Sequence, residues 1–172
     1  MWGKLRNPRS SERMDMECKP IGIIHSPFTK PQGMPIQPAG AKGIRGTIEI
    51  FEPFRKGLKD LDGFSHIILL YQFHRSRGFD LEVVPFLDSE RHGVFATRAP
   101  KRPNPIGLSV VCLRGVADGI LTIENVDVLD GTPLLDLKPY IPEFDAQTDV
   151  RTGWLEQTKR NVSHKKSDDR FK

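Results

Sequence analysis

Three prolines in close succession, Pro100, Pro103 and Pro105, constrain this chain more than any other feature. Each removes a backbone donor and biases the residue before it toward extended conformations, so neither a helix nor a central strand can run through residues 95–109. The segment is predicted to be a stiff, extended loop. Apolar strand-like runs flank it, residues 93–96 before and 108–113 after, which anchors both of its ends. Within it stand Arg98, Lys101, Arg102 and Asn104, side chains suited to carboxylates, phosphates and base edges. A rigid cationic loop between two strands is a way of presenting groups to a ligand; the competing reading is a proline-rich surface turn with incidental charge.

The rest of the chain reads as short strands. Residues 21–26 form an apolar strand that stops at Pro27. Residues 29–46, broken by Pro31, Gly33, Pro35, Pro38, Gly40 and Gly43 around Met34, Ile36 and Gln37, read as a long irregular loop of the kind that usually has a function or no structure. Residues 46–51 alternate as a half-buried strand, and Glu52-Pro53 opens a short amphipathic helix carrying Phe54, Leu58 and Leu61. Residues 65–73 are almost continuously apolar and predict a strand buried on both faces, ending in the polar cluster His74-Arg75-Ser76-Arg77. Two more strands are expected at 81–86 and 93–97. Asp118-Gly119 lies between alternating runs at 108–116 and 120–128, a strong hairpin signal, and a last run occupies 134–137. About seven strands, one short helix and no strand–helix alternation predict a mainly β fold: a small closed or nearly closed antiparallel β-barrel, or a sandwich, with long loops.

At 172 residues the chain is expected to hold one domain. Residues 1–19 read as an extension outside the fold, since 1–16 carry Lys4, Arg6, Arg9 and Arg13 but no apolar segment of a signal peptide. Residues 20–155 would be the barrel and 156–172 a flexible basic tail. No apolar run approaches the roughly 20 residues needed to cross a bilayer, so no membrane partner is expected. Cys18 and Cys112 show no paired spacing, which suits a reducing, cytoplasmic setting. The net charge of +4 argues only weakly for an anionic partner, because much of it sits near the chain ends.

No glycine-rich dinucleotide turn or phosphate loop occurs, so any nucleotide-like cofactor must be held by another device. His25, His66, His74 and His92 lack ligand spacing, and no metal is expected. No Ser or Cys sits in a nucleophile elbow. What remains is a set of polar groups at loop and strand ends, Gln37, His74, Arg75, Arg98, Lys101, Arg102, Asn104, Asp130, Asp136, Lys138 and Tyr140, which suit positioning better than covalent catalysis.

Several of these lie in longer motifs: Ile-Gly-Ile-Ile-His-Ser-Pro-Phe at 21–28, Met-Pro-Ile-Gln-Pro at 34–38, Phe-Ser-His-Ile at 64–67, Gly-Val-Phe-Ala-Thr-Arg from 93, Arg-Pro-Asn-Pro-Ile-Gly-Leu-Ser at 102–109, and Leu-Asp-Gly-Thr-Pro-Leu-Leu-Asp-Leu-Lys-Pro-Tyr at 129–140. Together they resemble the TrmO (TsaA-like or VirR-like) family from residue 20 to about residue 145. The resemblance implies an S-adenosylmethionine-dependent tRNA methyltransferase, a homodimer built on a small β-barrel with the pocket near the subunit interface. The implied reaction is N6-methylation of N6-threonylcarbamoyladenosine at tRNA position 37. It implies cofactor contacts at Pro35, Ile36, Gln37, His74, Arg75, Arg98, Leu108, Glu124, Asn125, Val126 and Asp127. Asn104, Asp136, Lys138 and Tyr140 would be catalytic, and Lys101, Arg102 and Asp130 would meet the substrate. Bacterial members often carry a further C-terminal domain where this chain has its basic tail. The alternative, of another class, is a non-catalytic S-adenosylmethionine- or nucleic-acid-binding regulator on the same barrel.

Overall fold

The computed structural model describes residues 17–157, 166–168 and 171, so the predicted extension at 1–16 and most of the basic tail lie outside the described residues. The strands are β1 (Gly22–His25), β2 (Arg45–Ile50), β3 (His66–Gln72), β4 (Glu82–Val83), β5 (His92–Gly93), β6 (Ile106–Ala117), β7 (Ile120–Glu124) and β8 (Thr132–Pro139). Six of them close a barrel in the order β1-β2-β7-β6-β3-β8, and β4 with β5 forms a separate two-stranded sheet. Every neighbouring pair in the barrel is antiparallel. Among the described residues no helix is long and apolar enough to cross a membrane.

Alternation along the strands supplies the core, because successive side chains point to opposite faces. Ile24, Ile48, Ile50, Ile67, Leu69, Tyr71, Val111, Leu113, Leu121, Ile123 and Leu134 fill the barrel from all six strands. Each such apolar side chain contributes about 1.5–3 kcal/mol by leaving water. The Asp118-Gly119 hairpin forms as predicted, with both residues at positive φ (52° and 82°) as a two-residue turn of this twist requires.

Some expectations are corrected. β3 is buried on one face only, with Ile67, Leu69 and Tyr71 inward and Ile68 and Leu70 half-buried on the outer wall, because a closed barrel has no second layer over it. The predicted strand at 93–97 gives way after Gly93 to a 3-10 turn, Val94–Ala96, closed by the Thr97 hydroxyl donating to the Val94 carbonyl at 2.9 Å. The predicted strand at 81–86 reduces to the two residues of β4. The expected amphipathic helix is two 3-10 segments, Glu52–Leu58 and Leu61–Gly63, of which only Leu61 is buried. The one α-helical turn among the described residues, α1 (Pro142–Asp145), was not anticipated; the Ile141 N–H donates to the Asp145 carboxylate across it at 2.8 Å.

The described residues of the tail are packed against the barrel's loops rather than free in solvent. Gly33 N–H donates to the Ser167 carbonyl at 3.0 Å and Ser167 N–H to the Met34 carbonyl at 2.8 Å, beside an antiparallel bridge between Pro35 and Lys166. Phe171 stands edge-on to Phe86, ring centroids 5.0 Å apart, and packs on the small cluster Val83, Val94 and Ala99. An aromatic ring in an otherwise polar segment finds an apolar patch beside the second sheet.

Candidate functional site

At the barrel end where β3 and β7 finish and β6 and β8 begin, long loops surround a cavity of about 480 Å³. Its walls are apolar for most of their extent, from Met34, Ile36, Phe73, Ile106, Leu108 and Phe171, with polar groups concentrated at a few points. That volume and lining are those of a site for a small organic molecule.

The proline loop supplies the cationic side. Arg98 Nη1 donates to Gln37 Oε1 at 3.2 Å, tying the loop to residues 31–38 and leaving the rest of the guanidinium fork toward the cavity. Arg102 Nη1 reaches back to the Thr97 and Ala99 carbonyls at 3.1 and 3.4 Å, so it holds the loop's shape while lining the cavity. His74 and Arg75, at the exit of β3, complete this side; burial, and then the neighbouring Arg75 charge, lowers the His74 pKa, so the imidazole stays neutral near pH 7.

The opposite side is a buried polar chain. Tyr71 lies at the top of the core, its hydroxyl 3.1 Å from Ser109 Oγ, and Ser109 donates in turn to Asp127 Oδ1 at 2.7 Å. Ser109 has one proton and gives it to the carboxylate, so the phenol is the donor to Ser109. The ring has room only because its strand partner is Gly107, where an added methyl group would overlap it. The register against β8 shifts between Leu70 and Tyr71, with the extra residue on β8, so Tyr71 keeps the inward alternation of β3 up to this mouth. Burial pushes the Asp127 carboxyl up to about 6, against the pull of Ser109 and Arg98, and pushes the Tyr71 phenol well above its ordinary value.

Of the residues singled out in the sequence, Pro35, Ile36, Gln37, His74, Arg75, Arg98, Arg102, Leu108 and Asp127 line this cavity. The others have different surroundings. Val126 is fully buried in the core, and Glu124 pairs with Arg114 at 2.6 Å. Asn125, at φ 70°, accepts from Gly43 N–H at 3.0 Å and donates to Cys112 Sγ at 3.2 Å, which fixes the turn out of β7. Asp130 accepts from Ser26 N–H at 3.2 Å and lies 3.3 Å from His25 Nδ1. Lys101 and Asn104 lie in the proline loop but do not line the cavity, and the Asn104 carbonyl already accepts from Ile106 N–H at 2.7 Å.

Asp136, Lys138 and Tyr140, expected as catalytic, do not line this cavity. Asp136 pairs with Leu70 and Lys138 with Ile68, residues of β3 that face away from the core, so this set stands on the outer wall. Lys138 Nζ is 2.7 Å from Asp136 Oδ2, and Tyr140 stands edge-on to His66. Leu70 in turn pairs with Leu108 of the cavity lining, so Asp136, Leu70 and Leu108 form one row across three strands. At a strand spacing near 4.8 Å the row places Asp136 about 10 Å from Leu108. Tyr71, Ser109, Phe73, Thr132 and Phe171 were missed as site residues. The signal for the first two was a polar group at an inward position of a β-run, which needs a partner when buried.

Comparison with known proteins bears on the fold that carries this cavity. The family model of the tRNA-methyltransferase O N-terminal domain matches residues 23–146. A probable S-adenosyl-L-methionine-binding protein of Pyrococcus abyssi is 57% identical, over 89% of this chain and 83% of its own length. The human tRNA (adenine(37)-N6)-methyltransferase is 33% identical, over 89% of this chain and 36% of its own length. The crystal structure of TrmO from Pseudomonas aeruginosa superposes with a TM-score of 0.70 at 43% identity, covering 82% of this chain and 63% of that one. The chain thus spans less than two thirds of the human enzyme and of the solved TrmO chain. With a matched domain that runs from β1 past β8 and a barrel that superposes on TrmO, this chain belongs to the tRNA-methyltransferase O N-terminal domain family.

Proposed function

We propose that the chain is an S-adenosylmethionine-dependent tRNA methyltransferase acting on N6 of N6-threonylcarbamoyladenosine at position 37. The observation that carries the cofactor half is the cavity itself, an apolar-walled space with the Arg98–Gln37 pair on one side and the Asp127 carboxylate on the other. Those groups fit the cofactor. A guanidinium fork is the natural bidentate partner of its carboxylate, the apolar walls suit its adenine, and a buried carboxylate suits one of its two positive charges. When bound, the cofactor supplies an activated methyl group on a sulfonium sulfur.

The chain's own residues then have positioning tasks. Arg98, held by Gln37, fixes the orientation of an anionic end in the cavity. The row from Leu108 to Asp136 gives a base a path from the cavity's rim along the outer wall, where Lys138 holds the Asp136 carboxylate and Tyr140 offers an aromatic face. Stacking on such a face is worth about 1–3 kcal/mol per base. An ion pair beside a carboxylate- and hydroxyl-bearing adduct favours tRNA that carries the threonylcarbamoyl group, by roughly 10⁴-fold or more where the contacts become buried. Assembly as a homodimer belongs to the proposal, since an outer-wall cluster is available to a neighbouring copy. So does a cytoplasmic setting, which suits two cysteines that form no disulfide.

The test is incubation with labelled cofactor and two tRNAs, one carrying the threonylcarbamoyl adduct at position 37 and one bare adenosine, followed by nucleoside analysis. Transfer to the first alone is expected. Equal transfer to both would remove the adduct from the recognition argument, and cofactor binding without transfer to either would favour the regulator.

A further inference from the structure

We propose that the hydrogen-bonded chain Tyr71–Ser109–Asp127 makes the cavity select its ligand by charge, holding a sulfonium in preference to the neutral thioether left after methyl transfer. The inference rests on the cofactor reading above and deepens it, by assigning a task to two residues, Tyr71 and Ser109, that face no solvent.

Three observations meet here. Asp127 lines the cavity, and its Oδ1 is held by Ser109, so the carboxylate is fixed in direction and not free to swing to a cation elsewhere. Ser109 is 1% exposed and Tyr71 5%, so the donors behind the carboxylate are dry and their orientation is set by the core. The chain is also one-way: the phenol donates to the hydroxyl and the hydroxyl to the carboxylate, an arrangement that stabilises negative charge at Asp127 and nowhere else. The charged and titratable groups around the cavity are Tyr71 from β3, His74 and Arg75 at its exit, Arg98 and Arg102 from the proline loop, and Asp168 from the C-terminal segment. A guanidinium stays protonated throughout this range, so whatever Arg98, Arg75 and Arg102 add to the ratio of the two affinities does not vary with pH. His74, its pKa lowered by burial, is a second group whose charge changes toward the acid end, so comparison of the unaltered protein with Asp127→Asn isolates the share of the carboxylate.

The sign follows from burial. The Asp127 carboxyl, pushed up to about 6, is ionised above that pH and neutral below it. A cationic sulfur gains from the ionised form only, whereas a thioether gains nothing. Preference for S-adenosylmethionine over S-adenosylhomocysteine is therefore present near neutral pH and fades as pH falls through about 6. One unit of pKa change on binding corresponds to a tenfold change in that ratio.

Calorimetric titration of the full chain with each of these two compounds, from about pH 5 to about pH 8, tests this across the range where the carboxyl titrates. The preference is expected to fall roughly tenfold toward the acid end, mostly through weaker binding of the sulfonium. Asp127→Asn should give a ratio that loses most of its pH dependence. Ser109→Ala keeps the carboxylate but removes a donor that favours its ionised form, so the midpoint should move to higher pH. Tyr71→Phe keeps the ring against Gly107 and should move it less, in the same direction; a purely structural role would weaken both ligands alike at every pH. A pH-independent ratio in the unaltered protein, or equal loss of both ligands in Asp127→Asn, would overturn the inference, the latter by assigning the carboxylate to the amino group that both compounds share. Failure of the unaltered protein to bind either compound would overturn the cofactor reading and this inference with it. Circular dichroism of each variant separates loss of fold from loss of binding.

Discussion

At one end of the barrel β6 and β7 meet in the two-residue turn Asp118-Gly119, and two short 3-10 segments carry the chain from β2 to β3. At the other end the same six strands open into loops of 19 residues between β1 and β2 and 33 between β3 and β6, the latter interrupted by the small β4–β5 sheet. The first end is held by tight turns and apolar packing with Leu61 beneath. The second holds a cavity, a carboxylate pushed toward neutrality and a loop stiffened by proline in place of backbone pairing. A barrel separates these tasks without a second domain: one end supplies the stability that the other uses to keep charged groups away from water.

That contrast can be broken by substitution. The largest effect is expected for Leu121→Ala, beside the closed end and fully buried, which should lower unfolding free energy by about 2–5 kcal/mol in denaturant titration while the remaining folded protein still binds cofactor. Asp127→Asn should act in the opposite sense. The folded-state pKa is raised to about 6, so the ionised carboxylate destabilises the fold above that pH and costs nothing once it is protonated in both states, below the ordinary value near 4. The asparagine variant should therefore be more stable by about 1–3 kcal/mol near neutral pH, with the advantage shrinking between about pH 6 and pH 4. Equal stability of the two proteins near neutral pH would show that the mouth stores no such cost. Arg98→Ala should leave the melting temperature nearly unchanged and weaken cofactor binding by about 2 kcal/mol, the scale of one charge-assisted contact. Gly119→Ala, the smallest, should cost about 1 kcal/mol because of its φ of 82°, with no change in cofactor affinity.

The sequence was most informative where local chemistry decides structure. Asp118-Gly119 made the hairpin legible, and Pro100, Pro103 and Pro105 made the exposed loop legible, because turn geometry and missing donors act within a few residues. Arg98, Gln37 and Leu108 were legible through motif resemblance, and all three line the cavity. Tyr71 and Ser109 were not, since each sits in an apolar run and gains meaning only from the register that sets Tyr71 against Gly107, two residues from Ser109. Asp136 and Lys138 were seen as a pair near the site, but a sequence does not say which wall of a barrel a residue faces until the register of β8 against β3 is known. Phe171 was hidden for another reason. A tail of charged and polar residues reads as solvated, and one aromatic ring outweighs that average only when an apolar patch such as Val83, Val94 and Ala99 awaits it.

Barrel closure has a consequence for how copies of this chain can meet. In the order β1-β2-β7-β6-β3-β8, with β8 returning to β1, each of the six strands has a neighbour on both sides, so the barrel offers no edge strand to an incoming backbone. Strand-to-strand addition, the common route to both domain swapping and fibrils, is thereby closed to it. A second copy, or a nucleic acid, has to be recognised through side chains on the outer wall and loops. Only the short β4–β5 pair, beside the cavity, keeps open strand edges among the described strands, and its two-residue length leaves little for another chain to extend.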